Sequence, residues 1–320
     1  MPDRDLFSII VEERDTNIRL DSLVASHISD CSRNTASTLI QKGIILVQGI
    51  AKKPGYRVKT GEKISGYIPP PEIISFDPEP ITIDIIYEDE HIVVVNKAAG
   101  MVVHPAPGHY TGTLVNALLF KCRDLKSIGD KLRPGIVHRL DMNTSGIIVV
   151  AKNQNAHEQL SSDFKLRKIN KKYLALVYND MESRSGVIEL PIGRHPTDRK
   201  KMSVKSKKSR KAETTWQLIE KFGGLSLLEL KLITGRTHQI RVHCAAINHH
   251  IVGDSVYGRK NGGRNLSDEV RKILKPAKRQ LLHSWQIGFS HPATGIYMDL
   301  KAPIPEDMNQ IISGLKGLGQ

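Results

Sequence analysis

"GIVHRLDMNTSGIIVVAKN", residues 135–153, carries an Arg139-Leu140-Asp141 triplet into a polar turn and then into a run of apolar residues. Ile147 to Val150 is mostly β-branched, the composition of a buried strand. Asn143, Thr144, Ser145 and Gly146 are good turn formers ahead of it. Read locally, Asp141 need do no more than accept backbone hydrogen bonds in that turn. What shifts the balance towards chemistry lies elsewhere in the chain.

On either side stand further strand candidates, "HIVVVNKAAG", "KKYLALVYN", "LSLLELKLITG" and "LLHSWQIGFSHP", each bounded by turn residues. Helical patterns occur between them, at "TLVNALLFKC" and "THQIRVHCAAIN". Strands and helices do not alternate regularly, and neither a GxGxxG nor a Walker loop is present, which argues against a doubly wound nucleotide-binding fold. The expected class is α+β, with a mixed, largely antiparallel sheet.

"TGRTHQIRVH", residues 234–243, ends a strand at Thr234, turns at Gly235 and is expected to start a helix with Arg236 at its first exposed position. A strand-to-helix turn presents a cation rigidly. A carboxylate near Arg236 would stay anionic, as a nucleophile requires and an acid does not.

The first part of the chain reads as a separate module. Ile18, Leu20, Leu23, Val24 and Ile28 fit one face of a helix. Ser32 is placed to cap a second helix that Gly43 stops. Short strands follow, broken at Gln48-Gly49, Pro54-Gly55 and Thr60-Gly61. Arg33, Lys42, Lys52, Lys53 and Arg57 form either an RNA-binding surface, which releases counterions from a phosphate backbone, or an ordinary solvated basic face. The Pro-rich "PPPEIISFDPEP" suits a stiff connector. The expected division is a small α/β domain at 15–68, a linker at 69–82 and a catalytic domain at 83–306.

Composition points to a polyanionic partner: 47 Lys and Arg face 33 Asp and Glu, a formal net charge of +14. Nine of those cations lie in "RHPTDRKKMSVKSKKSRK", residues 194–211, which has too little apolar content to fold alone and is expected to be a mobile loop able to order on RNA. The three cysteines are far apart and suggest neither a zinc ribbon nor a disulfide framework. The charged start and the lack of a long apolar run lead to the expectation of a cytoplasmic protein. His238 and His243 are five apart, the wrong spacing for ligands on one helical face, so no metal is expected.

"HRLDMNTSGIIVVAK", together with "NKAAGMVVHP", "KKYLALV", "GRTHQIRVH" and "VGDSVYG", resembles the RluA/RluD family of RNA pseudouridine synthases. The blocks stand in the family's order over roughly residues 85–305. "RLDSLVAS", "SRNTASTLIQKGIILVQG" and "VKTGEKI" resemble the RNA-binding module named after ribosomal protein S4. Ala98 replaces the usual Pro, Met142-Asn143 replaces a charged pair, and Gln48 stands for Asn.

The resemblance implies isomerisation of uridine to pseudouridine without a cofactor, with Asp141 as nucleophile. It further implies that Tyr173 stacks on the flipped uracil and is a candidate to move its C5 proton, that Arg236 pairs with Asp141, and that Arg139 fills the vacated space or holds a phosphate. Large-subunit ribosomal RNA is the expected partner and a monomer the default. Rival readings are transfer RNA as substrate, a non-catalytic ribosome-assembly factor, and an Asp-dependent nuclease. The nuclease would need clustered carboxylates for metals.

Overall fold

A computed structural model describes residues 6–29, 31–69, 77–105, 109–122, 125, 128–129, 133–198, 200–258 and 266–318. The chain divides into two compact units, Met1–Ile74 and Ser75–Gln320.

In the first unit β1 (Leu6–Ile10) precedes α1 (Leu20–His27) and α2 (Arg33–Gln41), and β2 (Leu46–Val47) and β3 (Lys63–Tyr67) complete an antiparallel sheet in the order β1-β3-β2. Ser32 caps α2 as expected, accepting the Thr35 N–H at 3.2 Å, and Gly43 follows its end at φ +70°. Gln48 and Gly49 both take positive φ in the turn after β2. Asparagine tolerates that geometry better than glutamine does. Leu20, Leu23, Val24, Leu39, Ile40, Ile45 and Ile64 make a core of this unit's own.

The second unit begins with β4 (Asp84–Glu88), β5 (Ile92–Lys97), α3 (Leu114–Lys121), β6 (Ser145–Ala151), α4 (Gln154–Lys165) and β7 (Asn170–Tyr178). Next come β8 (Ser185–Ile188), β9 (Ile192–Arg194), β10 (Met202–Ser203), β11 (Ser209–Arg210), β12 (Thr214–Lys221) and β13 (Leu225–Leu232). Helices α5 (Gln239–Ala246) and α6 (Asp268–Leu274), strands β14 (Leu282–Ser290) and β15 (Tyr297–Lys301), and α7 (Glu306–Gly317) follow.

Nine strands form one sheet, in the order β4-β5-β6-β14-β7-β13-β12-β8, with β15 also on β14. β6 and β14 run parallel; the other pairings are antiparallel. The fold is thus α+β on a mixed, largely antiparallel sheet. The apolar runs are continuous because both faces of the middle strands are covered. Val93, Val95, Ile148 and Val150 point into one core, and Ile92, Val94, Ile147 and Val149 into another.

Residues 194–211 depart from expectation. Rather than forming one long loop, the segment contributes Arg194, Met202, Ser203, Ser209 and Arg210 to a small antiparallel sheet in which β10 and β11 flank β9. A few apolar groups suffice, because they dock on the larger unit: Met202, Val204 and Tyr257 pack against Ile192, Ala212 and Val242. β1, whose alternating residues lie just behind a charged N-terminus, was also not anticipated, nor were β4, β8, β12 and β15. Residues 70–76 of the Pro-rich connector lie outside the described residues.

Candidate active site

The register of three adjacent strands brings the site together. Gly146 on β6 is opposite Ser284 on β14, and Ser284 is opposite Tyr173 on β7. Gly146 has φ +111°, and a Cβ there would lie 2.1 Å from the Ser284 carbonyl oxygen, so only glycine allows this approach. The turn carrying Asp141 therefore enters the sheet two strands from Tyr173.

That turn is held from several sides. The Lys97 side chain, 1% exposed, donates through Nζ to the carbonyls of Ala98 (2.8 Å), Met101 (2.9 Å) and Met142 (3.1 Å). Burial first, and then Arg279, push its pKa down to about 7, against the pull of Asp141. Arg279 Nη1 donates to the Asn143 carbonyl at 3.2 Å, and Gln280 Nε2 to Thr144 Oγ1 at 3.3 Å. His138 Nε2 accepts the Val149 N–H at 3.0 Å while its ring stacks on Phe164. Burial pushes its pKa down to about 3, which preserves the lone pair that this bond needs. Ala98, Met142 and Asn143 take part through their carbonyls, so the unusual side chains there leave the turn intact.

A cavity of about 510 Å³ opens beside the turn, lined among others by Arg139, Asp141, Tyr173, Arg236, His238 and Arg241. All four residues that the sequence singled out in this unit thus meet in one place. Arg139 is exposed; Tyr173 is buried. Burial raises the Tyr173 hydroxyl pKa to about 12, with Asp141 reinforcing and a hydrogen bond with Ser284 opposing. The hydroxyl is thus held protonated, and Tyr173 forms part of the cavity wall.

The expected pairing of Asp141 with Arg236 is not what forms. Arg236 belongs to the turn before α5; its N–H donates to Gln239 Oε1 at 3.0 Å and its Nε to the Lys211 carbonyl at 3.3 Å. Asp141 Oδ2 instead accepts from Arg241 Nη1 at 3.0 Å. Arg241, 5% exposed, also donates to both oxygens of Asp254, at 2.7 and 2.9 Å. Burial works against its charge, but the two carboxylates outweigh burial and raise its pKa. The physical reason for the shift of partner is the helix start. His238 adopts φ +56°, so α5 begins at Gln239, not Arg236, and turns Arg241 inward. Asp141 Oδ1 accepts no hydrogen bond among the described residues; His238 Nε2 lies 3.8 Å away.

In the first unit, Asp21 holds Arg19 in two bonds of 3.0 and 2.7 Å and lies 3.4 Å from Arg33. Arg57 Nη1 donates to the Asn17 carbonyl at 2.7 Å, and Lys42 is exposed at the end of α2.

Fold and site together define a class: a catalytic unit with an arginine-paired aspartate in a cavity rimmed by cations, preceded by a separate basic module. Residues 91–246 match the RNA pseudouridylate synthase family, and residues 18–64 match the S4 domain. The chain is 41% identical, over 97% of its length and 98% of the relative's, to an uncharacterized RNA pseudouridine synthase of Bacillus subtilis. It is 40% identical to the ribosomal large subunit pseudouridine synthase D of Zymomonas mobilis, over 93% of each. Human RNA pseudouridylate synthase domain containing 4 superposes with a TM-score of 0.59 at 27% identity, over 73% of this chain and 93% of that one. The chain belongs to the RNA pseudouridylate synthase family and is an isomerase.

Proposed function

We propose that this pseudouridine synthase modifies uridines of large-subunit ribosomal RNA, with Asp141 as its nucleophile. The observation that carries the reading is the asymmetry of Asp141: Arg241 occupies Oδ2, while Oδ1 accepts no hydrogen bond among the described residues, in a cavity that Tyr173 also lines. In the reaction the N1–C1′ bond breaks, its electron pair leaves with uracil, the base turns, and C5 bonds to C1′ while its proton is lost and N1 regains one. A carboxylate can start this by attacking C1′ or by removing a sugar proton. Both routes need the carboxylate as an anion.

Reaching the bond requires the uridine to be flipped from its stack, at a cost of a few kcal/mol. Tyr173 offers a ring for the extruded base, and Arg139, exposed at the cavity mouth, offers a guanidinium to the gap or to a neighbouring phosphate. Tyr173 acts by stacking. The ribosomal target rests on the S4 domain and on relatives whose names specify the large subunit.

The test is release of tritium from C5-labelled uridine in large-subunit ribosomal RNA, comparing wild type with Asp141→Asn. Release by the wild type alone, with RNA affinity retained by the variant, is expected. Release only from transfer RNA would overturn the ribosomal assignment, and an active Asp141→Asn would overturn the nucleophile.

A further inference from the structure

Tyr257 touches the Asp141 cluster with three different groups. Its backbone N–H donates to Asp254 Oδ1 at 3.0 Å. Its ring lies under the Arg241 guanidinium, 5.0 Å from centroid to Cζ. Its hydroxyl is 2.7 Å from His238 Nδ1 and also accepts the N–H of Met202, the first residue of β10, at 2.8 Å. Across the imidazole, His238 Nε2 faces Asp141 Oδ1, the oxygen that Arg241 leaves open. A path of one hydroxyl and one ring thus joins the main chain of the basic β9–β11 sheet to the proposed nucleophile.

Proton accounting gives the path a direction. Burial lowers the pKa of His238, so the ring is neutral near pH 7 and carries one proton. The phenol also has one proton to donate, and its oxygen already accepts from Met202. If Nδ1 held the ring proton and donated it to Tyr257, the phenol proton would find no further acceptor among the described residues. With the phenol donating to Nδ1, the hydroxyl both donates and accepts, and the ring proton sits on Nε2, 3.8 Å from Asp141 Oδ1. The backbone of His238 fits a held position: a non-glycine residue at φ +56° with no capping bond of its own side chain.

We propose that Tyr257 is a positioning residue for the isomerisation: its hydroxyl, held by Met202 of the basic sheet, fixes His238 in the Nε2–H tautomer and so presents a donor to the open oxygen of Asp141. The proposal rests on the reading of Asp141 as nucleophile. It gives the basic sheet a second task, since displacing β10 would release the hydroxyl and with it the tautomer.

Tyr257→Phe removes the hydroxyl and keeps the ring under Arg241. In the full chain labelled with ¹⁵N-histidine, and with His238 assigned by its loss in His238→Gln, wild type is expected to show protonated Nε2 and bare Nδ1. Tyr257→Phe is expected to show an average of both tautomers and a kcat about tenfold lower, with KM within about twofold. In a His238→Gln background, which has no tautomer to set, Tyr257→Phe should cause no further loss. A wild-type Nδ1–H ring, an unchanged tautomer in Tyr257→Phe, or undiminished kcat despite a changed tautomer would each overturn the proposal. So would full additivity of the two substitutions, which remains readable if the single variant is poorly folded. The tautomer is read in the free enzyme, so an active Asp141→Asn would strike the nucleophile assignment separately.

Discussion

Arg241 serves two carboxylates at once, and the consequences of removing it separate it from Arg236. Arg241→Met would leave Asp254, whose side chain is 1% exposed, as an uncompensated buried charge. Breaking a buried pair of this kind costs about 3–5 kcal/mol. Urea unfolding should register that loss, and any variant that folds should isomerise far more slowly. Arg236→Ala forfeits one long bond to a carbonyl and should stay within about 0.5 kcal/mol of wild type. A large stability loss from Arg236→Ala would contradict this division of roles. In the sequence both arginines stand in one motif, and Arg236, next to the turn glycine, looks the better presented. The signal that favours Arg241 is its place between Ile240 and Val242: a charge set among apolar residues on a helix needs a buried partner. The decisive fact, the left-handed backbone of His238, leaves no mark in composition. Asp141 and Tyr173 were legible through the resemblance of their motifs, since read locally Asp141 suits an ordinary turn and Tyr173 an ordinary strand; the register of β6, β14 and β7 fixes their neighbourhood.

At the scale of elements, the strands were the most readable part of the chain. β5, β6, β7, β13 and β14 are apolar runs ended by turn residues, and sheets covered on both faces demand such runs. The basic β9–β11 sheet was not readable, because its fold depends on where Met202 and Val204 dock and not on its own composition. Lys205, Lys207 and Lys208 are exposed on the connection between β10 and β11, and cations held on an ordered scaffold meet phosphate at little ordering cost. Replacing the three with alanine should weaken RNA binding across sequences. It should also lower the slope of log affinity against log salt by roughly 0.7–0.9 for each phosphate no longer neutralised. Filter binding between 50 and 200 mM salt measures this directly. An unchanged slope would show that these lysines face solvent in the complex.

For the whole molecule, the governing feature is that each unit has its own core. The small unit buries its own cluster from Val11 to Ile64, and the large unit buries clusters drawn from residues 92 onward. Every group in the network around Asp141, from Lys97 to Arg279, belongs to the second unit. No helix among the described residues is long and apolar enough to cross a membrane, and the cations behind the net charge of +14 lie in both units, so affinity for RNA is a summed property. Two linked binding surfaces gain through effective concentration, and losing one weakens binding without touching the chemistry of the other. Removing residues 1–68 should therefore raise KM on ribosomal RNA well above its wild-type value while leaving single-turnover isomerisation at saturating RNA largely intact. It should also broaden the set of uridines modified, because backbone contacts set the register in which the catalytic unit meets its target. Mapping pseudouridines after incubation with full-length and truncated enzyme tests both halves. An unchanged target profile would remove the small unit from target choice, and a collapse of the saturated rate would mean that the second unit's core depends on the first.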